Sequence, residues 1–346
     1  MHPNSFPPPF FRIDGRKSQV NVAPNMVENC RPMKKFLTRL IAFLILFFAI
    51  NSGFANYFND GLTVNKRNKF HWVCGLSSQT YDIAYVGSSR VEMTVDPVAI
   101  DEALNTNSVN IGVSGSGAGD QFLLASKLLK QNQARIVLYQ IDYLTLADKF
   151  TYPFKEYIWL SYDSDQAVRR AIIDHRGYMR YVAWKAVPFL KFMEFASQFH
   201  LFPFPDAGKY WTDRKGGQQR DTPFDSAKED TFSVHKPNKL ASEYVQKTID
   251  LCSKHDVKLI LFQAPLRSTL KDVAEFADCT AAIQHLVSNN QLEYWDFSNL
   301  FHDQPGLFYD NHHLNSEGVR RFSEILAERI RKSQFVSHPS SKQLAP

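Results

Sequence analysis

The chain has 346 residues, 44% of them hydrophobic, and a formal net charge of +5, enough to bury one large core or two small ones. Part of the positive charge lies in Arg12, Arg16, Lys17, Arg31, Lys34, Lys35 and Arg39. No later block interleaves Lys and Arg with aromatics, which argues against a nucleic-acid partner. The four cysteines, Cys30, Cys74, Cys252 and Cys279, have neither CxxC nor Cys/His metal spacing. Cys252 and Cys279 either pair in an oxidising compartment or remain two buried thiols.

Residues 1–32 are rich in proline and asparagine without apolar periodicity, and read as a disordered extension. Met33 resembles a second, natural translation start. The basic Lys34, Lys35 and Arg39 then lead into the apolar run 40–50, extended by Gly53, Phe54, Ala55, Tyr57 and Phe58. Residues 34–58 therefore read as a transmembrane signal anchor. A signal cleaved near residues 53–55 is the alternative. The basic front holds the N-terminus in the cytoplasm and sends the rest outside the inner membrane.

A polar juxtamembrane piece, 65–69, precedes a soluble domain expected over 75–332. The apolar run 81–86 ends in Gly87-Ser88-Ser89, a sharp turn that exposes a hydroxyl at a strand's carboxyl end. Such a serine is a candidate nucleophile if a base lies elsewhere, or it caps the next helix. Helical spacing follows Asp96, then a strand at 108–113, a helix at 121–130 and a strand at 136–142. Alternating helices and continuously apolar strands predict an α/β fold, a three-layer αβα sandwich with a parallel central sheet. The glycines at 112, 115, 117 and 119 do not have dinucleotide-site spacing. A turn of that kind is better suited to presenting a backbone N–H to developing negative charge.

From 143 to 235 the rhythm breaks into an aromatic-rich, helical insertion or lid over the strand ends, with helices expected at 164–174 and 178–198 and a polar surface loop at 206–230. The α/β pattern resumes with a helix at 244–255, a strand at 257–262, a helix at 272–289, a strand at 293–297 and a terminal helix at 319–332; residues 333–346 read as a flexible tail. Asp310 stands three residues before His313, ahead of that last helix. The carboxylate can fold back onto one ring nitrogen and leave the other free to take a proton from a serine. His312 is the rival base. Two adjacent histidines also suggest a metal, but no further ligands at defined spacing accompany them.

In this order and context the blocks resemble those of the SGNH, or GDSL-like, hydrolase superfamily over roughly residues 80–330, the insertion excepted. The resemblance implies a flavodoxin-like sheet, Ser89 as nucleophile with its own N–H in the oxyanion hole, and Gly115 as a second donor. It also implies Asp310 and His313 as the remaining members of a catalytic triad, with no cofactor or metal. The departure lies at the third block, where the superfamily's oxyanion asparagine has no counterpart in Gln140-Ile141-Asp142. The Gly-Ser-Ser variant and the N-terminal anchor together look like the acyl-transfer branch, of D-alanyl-lipoteichoic-acid-synthesis and polysaccharide O-acetylation type. That branch implies a cell-surface glycan substrate and a membrane-bound O-acyltransferase partner. An esterase using water as acceptor and a catalytically inactive envelope scaffold are the alternatives.

Overall fold

The computed structural model describes residues 30–64, 69–146, 156–193, 208–219, 236–267 and 274–333. The expected disorder of the N-terminal extension and the tail thus falls, almost entirely, outside the described residues. The chain divides into two compact units, Met1–Asn51 and Ser52–Pro346. Helix α1 (Cys30–Val64) contains the apolar stretch Pro32–Tyr57, long and apolar enough to cross a membrane by length and composition. In the first unit its side chains from Met33 to Ile50 are exposed.

In the second unit α2 (Lys69–Cys74) leads into β1 (Thr80–Val86), α3 (Ser89–Glu92), α4 (Pro97–Leu104), β2 (Ser108–Asn110), α5 (Ala118–Gln131) and β3 (Gln133–Gln140). Between β3 and the next strand come α6 (Tyr143–Leu146), α7 (Glu156–Trp159), α8 (Gln166–Arg176), α9 (Tyr178–Ala186), α10 (Phe189–Met193), α11 (Gly208–Asp213) and α12 (Lys239–Lys254). The described chain closes with β4 (Lys258–Gln263), α13 (Ala274–Asn290), β5 (Glu293–Asp296) and α14 (Ser316–Lys332). All five strands are parallel, in the order β2-β1-β3-β4-β5.

Side chains alternate across this sheet as the strand period of two requires. Ala84, Val86, Val137, Tyr139, Leu259 and Leu261 join one core cluster, covered by α2, α5, α12 and α13. Ile83, Tyr85, Ile136, Leu138, Ile260 and Phe262 join the other, covered by Ile100 and Leu104 of α4 and by Val319, Phe322, Leu326 and Ile330 of α14. The result is the three-layer αβα sandwich of flavodoxin-like strand order. In this order the chain reverses direction between β1 and β3, and ligand crevices open at the carboxyl ends of those strands.

Helix ends follow local chemistry. Asp96 accepts from Val98 N at 3.0 Å to start α4, with Pro97 in the first turn, and Asn238 accepts from Leu240 N at 2.8 Å to start α12. The helix expected over 178–198 ends at Ala186, because Pro188 cannot donate to the helical ladder, and α10 begins beyond it; residues 194–198 lie outside the described residues.

Two expectations are corrected. Lys69, read as juxtamembrane, is buried, and α2 packs Phe70, Trp72 and Val73 into the core. A lysine tolerates that burial here because partners surround its ammonium, as set out below. The polar loop expected from 206 instead contains α11, whose Trp211 is buried; the turn after it runs along β2, where Asn110 N donates to Lys215 O at 2.8 Å. Its part from 220 to 230 lies outside the described residues. The described part of the insertion packs into the body of the domain. Ile158, Trp159, Val168 and Ile172 join the core cluster that holds α5, and Trp159 Nε1 donates to Asp120 Oδ1 at 2.8 Å. Cys74, Cys252 and Cys279 are buried thiols, which is the thiol alternative for the last two.

Candidate active site

Strand β1 delivers Gly87-Ser88-Ser89 to the point where the sheet order reverses. Ser88 takes the capping role, its Oγ accepting from Arg90 N at 3.3 Å. Ser89 is thereby left to present its hydroxyl beyond the cap, half-buried. His313 Nε2 lies 2.8 Å from that Oγ, and His313 Nδ1 lies 2.7 Å from Asp310 Oδ2. Asp310 Oδ1 also accepts from His312 N and His313 N, each at 2.8 Å.

Burial alone would raise the Asp310 carboxyl, but the His313 hydrogen bond and charge and the two backbone N–H donors outweigh it and lower it to about 2. Asp310 is then an ionised acceptor, so Nδ1 of His313 carries the hydrogen. In the neutral ring Nε2 is left as the acceptor, and the Ser89 hydroxyl donates to it. The three side chains form one directed chain of hydrogen bonds.

The loop carrying Asp310 and His313 is braced at both ends. Phe308 and Leu314 form an antiparallel bridge, and both are buried against the α14 side of the sheet. Tyr309 N donates to His313 O at 2.8 Å, and Asn315 Oδ1 accepts from Gly318 N at 3.0 Å to cap α14. His312 faces elsewhere. Its Nδ1 lies 2.8 Å from the Tyr143 hydroxyl, and burial, then the Arg90 charge, push its ring down to about 3. Of the two rival histidines, it is His313 whose ring nitrogen lies within hydrogen-bond distance of Ser89.

Asp310 makes a testable contribution to stability. Its folded value of about 2 lies below the ordinary 3.8, so the stabilisation is complete above the ordinary value and disappears as pH falls through the folded one. Asp310→Asn is therefore expected to lower Tm by a constant amount at neutral pH. The gap from wild type should close between about pH 4 and pH 2. A gap independent of pH across that window contradicts this.

Gly115 occupies the turn Val113–Ser116, which is closed by Ser116 N donating to Val113 O at 3.0 Å; its φ of +69° is a left-handed conformation suited to glycine. The segment before it passes directly over the serine turn. A Cβ on Gly112 would come within 2.9 Å of Ser88 O, and Val113 N donates to Gly87 O at 3.1 Å. Glu92, three residues after Ser89, fixes the turn from below, accepting from Ser114 N at 2.7 Å and from Ser114 Oγ. Behind it the Lys69 ammonium lies 4.0 Å from Glu92 Oε1 and donates to Asn110 Oδ1 at 3.2 Å. Burial pushes that ammonium down to about 8 against the opposing Glu92 charge. Serine turn and glycine turn are thus tied into one unit.

Below Ser89 lies a buried ion pair. Arg90 is fully buried, its Nη2 donating to the carbonyls of Ala264 at 2.8 Å and Pro265 at 2.9 Å, and its Nη1 lying 3.0 Å from Asp142 Oδ2. Asp142 in turn accepts from Leu144 N at 2.8 Å, Thr145 N at 2.9 Å and Gln140 Nε2 at 2.8 Å. Asp142 is thus the acceptor that starts α6, and Arg90 joins the ends of β1, β3 and β4. Gln140, the last residue of β3, thereby spends its amide on Asp142.

Arg90, Glu92 and Lys69 were not singled out as functional in the sequence. Their signal was present: Arg90 and Glu92 are charges directly behind the serine turn, and Lys69 opens an otherwise apolar stretch. Among the described residues no group of three or more His, Cys, Asp or Glu side chains is arranged to hold a metal ion.

A protein-family model matches residues 212–335, less than half of the chain. No curated protein matches the sequence. Among solved structures, the chain is similar to a carbohydrate acetylesterase family member from Sinorhizobium meliloti, at 10% identity and a TM-score of 0.36, covering 75% of this chain and 100% of that one. It is also similar to a protein of G-D-S-L family from Desulfitobacterium hafniense DCB-2, at 8% identity and a TM-score of 0.36, covering 73% and 99%. An acetyl xylan esterase from the rumen bacterium Butyrivibrio proteoclasticus is similar at 10% identity and a TM-score of 0.33, covering 75% of this chain and 66% of that one.

Proposed function

We propose that this chain is a membrane-anchored, extracytoplasmic serine enzyme of SGNH type that moves an O-acyl group, an acetyl group in the first instance, to or from a cell-envelope glycan. The observation that carries the reading is the directed chain Ser89–His313–Asp310 at the sheet's crevice. His313 Nε2 takes the Ser89 proton as Oγ attacks the ester carbonyl, forming a new C–O bond. The N–H groups of Ser89 and Gly115 hold the resulting oxyanion. Collapse breaks the ester C–O bond, and the departing alcohol oxygen takes the proton from His313. A sugar hydroxyl then gives its proton to His313 and attacks the acyl carbon, and Ser89 leaves with that proton. Asp310 orients the ring and stabilises its charged form throughout.

The apolar helix with Lys34, Lys35 and Arg39 at its front supports an anchor with a cytoplasmic N-terminus, with a membrane-bound O-acyltransferase as the partner that supplies acyl groups. The test is incubation of full-length protein in membranes with an acetylated oligosaccharide and a second, tagged oligosaccharide. Acetyl appearing on the tagged chain supports transfer, and free acetate alone supports the esterase alternative. Neither product, with both lost from wild type and Ser89→Ala alike, supports the scaffold.

Glu92 enters this mechanism through the glycine turn. Glu92→Ala releases Ser114 and loosens the Gly115 N–H, so kcat should fall by roughly 10- to 100-fold while KM holds. An unchanged kcat would show that the turn keeps its geometry without the carboxylate.

A further inference from the structure

Helix α9 has two apolar faces. Tyr181 and Trp184 are buried against the body of the domain. On the opposite side Met179, Val182, Ala183 and Ala186 are exposed, and at about 100° per residue they form one stripe. Met179 is 77% exposed, and the stripe continues beyond the Pro188 break into Leu190 and Met193 of α10, which are also exposed. Arg180 flanks it on one side, and Tyr178 and Lys185 flank it on the other. The Lys185 side chain is half-exposed, its ammonium 3.2 Å from Asp163 Oδ2.

The surroundings say what meets this stripe. Phe189, at the start of α10, has its ring centroid 5.6 Å from that of Phe54. Phe54 lies in the last turn of the apolar stretch Pro32–Tyr57. An exposed apolar stripe with basic and tyrosine flanks, beginning beside the end of a membrane-spanning segment, has the composition of an interfacial helix. Its long cationic side chains can keep their heads among anionic headgroups while their stems lie along apolar surface.

We propose that α9 and α10 dock on the surface of the bilayer that holds the anchor, their stripe sunk to the headgroup–acyl boundary and Arg180 and Lys185 against anionic lipid. This inference rests on the reading of the apolar helix as an anchor. Docking at these helices adds a second attachment to the anchor and restricts how the catalytic body turns above the membrane.

The test uses the full-length chain with Cys30→Ser, reconstituted in vesicles of phosphatidylethanolamine and phosphatidylglycerol. Single nitroxide labels are placed through Met179→Cys, Leu190→Cys, Leu46→Cys within the apolar helix, and Lys239→Cys on an exposed helix start. Each label is read by its collision rates with lipid-soluble oxygen and a water-soluble nickel chelate. The expected result is an oxygen-to-nickel ratio at Met179 and Leu190 severalfold above that at Lys239 and on the same side as Leu46. Ratios at both stripe sites equal to that at Lys239, with Leu46 in lipid, overturn the docking and leave the anchor standing. Exclusion of both reagents from the stripe overturns it in favour of a protein partner. A water-exposed Leu46 overturns the anchor, and the docking with it.

Discussion

Ser89→Ala is expected to lower kcat on the order of 10⁴-fold or more without unfolding the protein. The Ser89 hydroxyl bonds to His313, and the helix cap belongs to Ser88, so removing the hydroxyl takes away the proposed nucleophile and little else. His313→Ala should cost a similar factor. The double variant should fall no further, because a nucleophile and its base act as one unit and their losses do not add. His312→Ala separates the adjacent histidines. It breaks the contact with the Tyr143 hydroxyl and is expected to cost stability more than turnover. Full activity in His313→Ala, together with loss in His312→Ala, would reverse the assignment of the base.

The largest effect on stability is expected at Arg90. In Arg90→Met the Asp142 carboxylate keeps its backbone donors but loses its counter-charge at a fully buried position. Removing one partner of a buried pair costs about 3–5 kcal/mol. For a domain of this size that corresponds to a fall in Tm of about 5–9 °C. Activity should fall as well, because Arg90 adjoins Ser89 and links the carbonyls of Ala264 and Pro265 to the end of β3. Asp142→Asn combined with Arg90→Met should recover part of the loss, since no uncompensated charge remains. A single variant within about 0.5 kcal/mol of wild type would show that water or another group reaches the carboxylate.

The sandwich was legible because the central strands β3 and β4 wrote their burial into consecutive apolar residues. Ile136-Val137-Leu138-Tyr139 and Leu259-Ile260-Leu261-Phe262 can only be covered on both faces. The serine turn and the Asp-x-x-His block were legible for a related reason, since each packs its chemistry into a few neighbouring residues. What stayed hidden depends on partners distant in sequence. Lys69 read as juxtamembrane because its company, Asn110 and Glu92, lies 41 and 23 positions away. Arg90 joins residues 142, 264 and 265, which no local pattern connects. The turn after α11 read as a polar loop because its contact with β2 runs through backbone groups, Lys215 O to Asn110 N. Side-chain polarity says nothing about such a bond.

The measurement closest to the central claim is covalent trapping. Full-length protein in membranes is treated with a serine-directed phosphonylating probe, and intact and peptide mass spectrometry locate the adduct. A single adduct on Ser89, absent from Ser89→Ala and strongly slowed in His313→Ala, is the predicted result. No adduct in wild type, or one equally abundant on other serines, would contradict an activated nucleophile at the end of β1.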